Sequence, residues 1–276
     1  MGDVTRREWL AAATVGGLGT LHGRPWASAP DRWTPGQPAI SDSFPRHDPA
    51  LAQEVVGQSH SNLARVKELV TRQPALAKAS WDWGFGDWET ALGAAAHTGQ
   101  KDIARLLLDH GAPPTLYSAA MLGQLDIVRA FLTMMPGAQR QPGPHGITLL
   151  SHARAGGAEA AEVVAYLLEV GGADDRPTYL AVDPADRARL VGTYRFGAGG
   201  RDVFVVDEAR EQLGLLRPGG SRRGLFCIAA DASGWTFVPV GSAAVRIRFE
   251  RADNGEFVLT IADPNQLLSA RRSQEP

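Results

Sequence analysis

Asp87-Trp88-Glu89-Thr90-Ala91-Leu92-Gly93-Ala94-Ala95-Ala96-His97-Thr98-Gly99-Gln100 runs directly into Lys101-Asp102-Ile103-Ala104-Arg105-Leu106-Leu107-Leu108-Asp109-His110-Gly111-Ala112. Local rules divide this stretch into two helices. Thr90 is a helix N-cap, and the alanines after it leave a smooth face against which a second helix packs closely. Gly99 supplies the tight turn between the helices, and Gly111 ends the second one in a left-handed conformation. His110, just before that end, suits the exposed carbonyls of a helix C-terminus.

The pattern resembles an ankyrin repeat, which opens with Thr-Pro-Leu-His and closes with a Leu-rich helix and Gly-Ala; here Ala91 and Gly93 replace the Pro and His. One such repeat leaves its apolar face open, so neighbours are required. Thr115-Leu116-Tyr117-Ser118-Ala119-Ala120-Met121-Leu122-Gly123 begins a further copy that runs to Leu132, and Gly146-Ile147-Thr148-Leu149-Leu150-Ser151-His152 begins another that closes at Gly172-Ala173. Residues 61–70, followed by Pro74, read as a degenerate first repeat that caps the stack. Gly123 follows Gly99 by only 24 positions, against an ankyrin period of about 33. The intervening loop must therefore be cut short, which leaves open whether the stack is regular or kinked there.

At the N-terminus, Thr5-Arg6-Arg7-Glu8-Trp9-Leu10 resembles a twin-arginine export signal, followed by an apolar Gly- and Ala-rich stretch to Leu21 and a small-residue cleavage pattern at Ala27-Ser28-Ala29. The apolar stretch falls short of the roughly 20 residues a permanent anchor needs. Residues 1–29 are expected to be a signal peptide that leaves no stable membrane span once removed, and the destination implied is the periplasm or beyond. Residues 30–48 read as a linker or N-terminal arm.

Twenty-eight basic residues face thirty acidic ones, a net charge of −2. Nothing in that balance favours nucleic acid. A single cysteine, Cys227, excludes an internal disulfide and sits in a strand-like run as a core residue. After residue 175 the period changes. Val203–Val206, Leu213–Leu216, Gly224–Ile228, Trp235–Val240, Ala244–Glu250 and Phe257–Ile261 are short β-rich runs, with a hairpin turn at Asp253-Asn254-Gly255. Residues 186–276 are expected to form a small antiparallel barrel or sandwich. The Gly192-Thr193-Tyr194 opening and the close at Leu268-Ser269-Ala270-Arg271-Arg272 resemble accessory β modules that follow penicillin-binding-type serine hydrolases in exported proteins. The hydrolase motifs Ser-x-x-Lys and Gly-x-Ser-x-Gly are absent. The fold class expected is thus α+β and multidomain: an all-α ankyrin stack of about four repeats over residues 49–175, then the β domain.

Candidate binding residues gather around Trp81-Asp82-Trp83-Gly84-Phe85-Gly86-Asp87-Trp88-Glu89, an insertion rich in tryptophan and carboxylate. The ankyrin pattern points Asp87, Glu89, His97 and Thr98 into the concave groove. His145 replaces Asp87 in the last repeat, with His152 close behind and Trp83 and Trp88 as walls. Three interpretations follow: a pocket for a small polar or sugar-like ligand, a histidine and carboxylate metal site, or a plain structural role in which the tryptophans plug the repeat and the carboxylates cap helices. No His-x-x-x-His or Cys-x-x-Cys spacing is present, so no metal and no cofactor are expected. Arg222-Arg223 is expected to be a solvated turn, and His60 to be an incidental residue at the end of the first helix. The stretches Asp82 to Thr90 and Gly143 to Thr148 resemble a group of exported bacterial ankyrin-repeat proteins. The function expected is protein–protein interaction through the groove, with a small-molecule site or hydrolase-like enzyme as the alternative.

Overall fold

The computed structural model describes residues 42–253 and 255–273. The signal peptide and most of the arm lie outside the described residues. Helices α1 (Pro49–Gln58), α2 (Leu63–Arg72), α3 (Ala91–His97), α4 (Lys101–Asp109), α5 (Leu116–Met121), α6 (Leu125–Met134), α7 (Leu149–Ala155) and α8 (Ala161–Val170) form four antiparallel pairs. The inner helices α3, α5 and α7 start alike: Thr90, Thr115 and Thr148 accept from the backbone N–H groups of Gly93, Ser118 and Ser151. The apolar faces then interlock. Leu92, Ile103 and Leu107 are buried, each contributing roughly 2 kcal/mol by removal from water. His110 Nδ1 meets the Leu106 carbonyl at 2.8 Å, the helix-end role its position implies.

The short spacing has a clear structural outcome. Only residues 110–115 separate α4 from α5, without a hairpin, whereas α3 is preceded by the hairpin of β1 (Ser80–Asp82) and β2 (Trp88–Thr90). The stack is also cross-linked between repeats that are not adjacent in the chain. In a regular solenoid each repeat touches only its neighbours, but here α7 of the fourth repeat packs on both α5 and α3. The approach is so close that a Cβ at Gly99 (φ 71°) would strike the Ala155 carbonyl oxygen. Lys101 and Arg105 of the second repeat both reach Glu159 beyond α7, at 2.8 and 3.0 Å.

Helix α9 (Pro184–Leu190) leads into eight strands: β3 (Gly192–Phe196), β4 (Asp202–Ala209), β5 (Gln212–Leu216), β6 (Arg223–Asp231), β7 (Gly234–Pro239), β8 (Arg246–Arg251), β9 (Phe257–Asp263) and β10 (Gln266–Arg271). They pair antiparallel in chain order. The bridge Tyr194–Arg272 and the bond from Ser273 N–H to the Thr193 carbonyl (2.7 Å) bring the last strand back to the first. The result is a nearly closed barrel, which abolishes most of the unpaired edge. Alternation holds along β8, where Ile247 and Phe249 are buried between the more accessible Arg246 and Arg248. Cys227 is buried in the barrel core. Phe85, from the loop between β1 and β2, also packs against that core, so the barrel rests on the finger of the second repeat. Among the described residues no helix is long and apolar enough to cross a membrane.

Candidate functional site

The contact of α7 with α3 decides which side chains meet. His60 lies just beyond α1, His97 ends α3, Glu89 and Asp87 sit at the finger of the second repeat, and His145 sits in the loop before α7. Because α7 reaches α3, the fourth repeat's loop lands on the second repeat's finger. His145 adopts a left-handed backbone (φ 58°), a conformation costing about 1–3 kcal/mol in a non-glycine residue. Asp87 holds it there, accepting the His145 backbone N–H at 2.9 Å and its Nδ1 at 2.6 Å.

Asp87 and Glu89 are only 2% and 1% exposed, and both are saturated with donors. Asp87 also pairs with the buried Arg223, which reaches across from β6 and donates to the Val240 carbonyl at 2.8 Å. The Arg222-Arg223 pair is therefore not a solvated turn: Arg223 is buried against Asp87, and Arg222 pairs with Asp207 at 2.6 Å. Glu89 Oε1 lies 2.9 Å from His97 Nε2 and 3.3 Å from His145 Nε2, while its Oε2 accepts the Trp83 indole N–H at 2.8 Å. Neither carboxylate caps a helix.

Burial alone would raise the Glu89 carboxyl, but hydrogen bonds from His145 and His97 overcome it and hold the group at about 2. For Asp87 burial is likewise opposed by His145, and the net shift is downward. His145 is depressed by burial yet carried up to about 9 by its bonds to Asp87 and Glu89. At neutral pH the group thus holds two negative charges against His145 and Arg223, both positive.

His152 is fully buried on α7, where burial pushes it down to about 4 and leaves it neutral. Its Nδ1 lies 2.8 Å from the Thr148 carbonyl, and its Nε2 has no hydrogen-bond partner among the described residues. Its ring lies 6.3 Å from that of His97 and 4.8 Å from that of Tyr117. Thr98 bonds the Ala94 carbonyl of its own helix at 2.6 Å. Trp83 lines the cluster, 6.2 Å from the His60 ring, whereas Trp88 is 62% exposed.

Sequence reasoning passed over His60, and the structure places it inside the group, with Nε2 3.5 Å from Glu89 Oε2. The missed signal was positional: His60 closes the first repeat's inner helix as His97 closes the second's. An imidazole, His145, lies between Asp87 and Glu89 where a sugar ring would need open space. A separate cavity of about 570 Å3, lined by Phe85, Phe196, Phe204 and Leu268, opens where the finger meets the barrel and does not include the histidines.

Residues 87–118 match the ankyrin repeat family. That match covers the finger's second strand, α3, α4 and the start of α5, the segment that carries Asp87, Glu89 and His97. Comparison with curated proteins and with solved structures returns no match. Ankyrin repeats imply protein–protein interaction in general terms; the histidine group comes from the contact of α7 with α3 in this chain.

Proposed function

We propose that the protein is an exported ankyrin-repeat binding protein whose concave face, from the second-repeat finger onward, recognises a protein partner. The observation that carries this is Trp88. An indole 62% exposed on a two-stranded finger is the kind of large amphipathic anchor that dominates protein interfaces. The finger is stiffened from behind by Glu89, Asp87 and the barrel, so little ordering entropy opposes binding. The organisation assigned is a signal over residues 1–29, an arm over 30–48, the stack over 49–175 and the barrel over 186–276.

Native mass spectrometry of the protein purified at low salt from its own host tests the proposal. A second polypeptide is expected, with Trp88→Ala weakening its binding about 30-fold, the equivalent of roughly 2 kcal/mol. A wild-type chain that carries no partner, or a variant that binds equally well, refutes it. Export is tested separately: lysine at both Arg6 and Arg7 should leave the chain in the cytoplasm. The buried group behind the finger does not serve this surface, because no partner side chain reaches carboxylates 2% and 1% exposed.

A further inference from the structure

We propose that His60, His97, His145 and Glu89 together bind one divalent transition-metal ion, for which zinc is the representative. The first argument is spacing. One donor atom from each residue lies within 4.8 Å of all the others. A metal at about 2.0–2.1 Å from four tetrahedral ligands separates them from one another by about 3.3 Å. Glu89 Oε1 lies 2.9 Å from His97 Nε2 and 3.3 Å from His145 Nε2, close to that edge length, and the other carboxylate oxygen, Oε2, lies 3.5 Å from His60 Nε2. Side-chain adjustment within the cluster is enough to close the rest.

The second argument is orientation. A ligating histidine characteristically ties its far ring nitrogen to a carbonyl or carboxylate, which aims the other nitrogen at the ion. His145 does this through Asp87, at 2.6 Å, and the Nε2 proton that it carries in the metal-free chain is released to solvent when the ion takes its place. His60 does it through the Val56 and Gly57 carbonyls, at 3.2 and 3.0 Å from Nδ1. Glu89 is oriented in turn by the Trp83 indole.

The third argument is a mismatch that a self-contained charge network leaves standing. With the hydrogen on Nδ1, His60 presents the bare lone pair of Nε2 to Glu89 Oε2, itself a lone-pair donor, across 3.5 Å. That separation exceeds a normal N–H···O bond of about 2.7–3.2 Å, so a proton on Nε2 would be poorly used. A metal cation between the two atoms turns the repulsion into two bonds.

Donor chemistry narrows the ion. Three imidazoles and one carboxylate suit zinc or a neighbouring first-row ion. Calcium and magnesium prefer all-oxygen shells. A thiolate site is excluded because Cys227 lies in the barrel core. Glu89 is fully buried at the side chain, while His60 and His145 are 29% and 21% exposed, so the ion has a way in from solvent past those two rings.

The inference stands independently of any partner at Trp88. The full-length chain, stripped with chelator, is titrated with zinc by calorimetry, and bound metal is counted after gel filtration. One zinc per chain is expected. His60→Gln, at the accessible rim, should weaken binding by at least about 100-fold, since loss of an outer-shell partner alone costs about 10–100-fold. His97→Gln, which still donates to Glu89, serves the same purpose if the first variant does not fold. His110→Gln should bind as wild type, because its ring is engaged at a helix end outside the cluster. A wild-type chain that takes up no zinc overturns the proposal, as does uptake that folded His60→Gln and His97→Gln leave unchanged.

Discussion

Replacing Arg223 with methionine removes a cation that joins the barrel to the second ankyrin finger, and its cost follows from what Asp87 has left. The Arg223 and Asp87 side chains are 7% and 2% exposed, and breaking a buried pair by removing one partner costs about 3–5 kcal/mol. Asp87 keeps two donors, the backbone N–H and Nδ1 of His145, so its charge is not abandoned and the lower end applies, about 3 kcal/mol. For a chain of this size each kcal/mol lowers Tm by about 2–4 °C, giving a drop of about 6–12 °C. Differential scanning calorimetry in chelator-containing buffer measures this without any contribution from bound metal. Asp87→Asn in the same chain supplies the control: if the pair is the cause, the double variant should be less damaged than the sum of the singles by at least about 1 kcal/mol. A Tm change under about 2 °C for Arg223→Met, or additivity within about 0.5 kcal/mol, would refute the claim that this contact couples stack and barrel.

Gly99→Ala should destabilise by more than about 2 kcal/mol in urea unfolding, because strain at φ 71° adds to a clash with the Ala155 carbonyl. Gly137→Ala, in the left-handed region at φ 91° with open space around it, should cost only about 1 kcal/mol; equal costs would mean that the close approach of α7 to α3 is not tight. Tyr194→Phe, which removes a 2.8 Å bond to the Leu190 carbonyl inside the barrel, should cost about 1–2 kcal/mol. Burial, only partly offset by Arg272, pushes the Tyr194 phenol up. Above the unfolded value of about 10 the unfolded chain has lost a proton the native chain keeps, so stability falls as pH rises through that point. The Tyr194→Phe variant should show a shallower fall in alkaline unfolding curves, and an unchanged slope would count against it. Cys227, whose thiol burial also drives up, should react with a thiol reagent only on unfolding; rapid labelling of the native protein would contradict its place in the core.

Much of the fold was legible because its signals are local. The threonine caps, the turn glycines and the alternation along β8 each act within a few residues, and the structure bears them out. The 24-residue gap correctly implied a shortened loop, and the contact of α7 with α3 is what the structure adds. Arg223 was misjudged because its partner is 136 residues away, beyond any pattern of spacing. His60 was passed over for a related reason: alone on a helix end it has no meaning, and it gains one only beside His97 and Glu89. Metal-ligand spacing rules look for donors on one helix or loop, whereas these come from three repeats. Of the residues singled out around the groove, Trp83, Asp87, Glu89, His97 and His145 converge. His152 stands behind them, Thr98 bonds its own helix, and Trp88 faces solvent.

The contact between α7 and α3 has a consequence for how this stack comes apart. A solenoid whose units touch only their neighbours is a linear chain of dominoes: an end unit frays, and extra units are spliced in with little penalty. Here the second and fourth units also clasp one another, so the chain of contacts becomes a ring. Opening the fourth unit exposes the second as well, and a unit inserted at Pro113-Pro114 would pry the ring apart instead of lengthening it. This stack has given up the modularity of its repeats and should melt as one block, not from its ends.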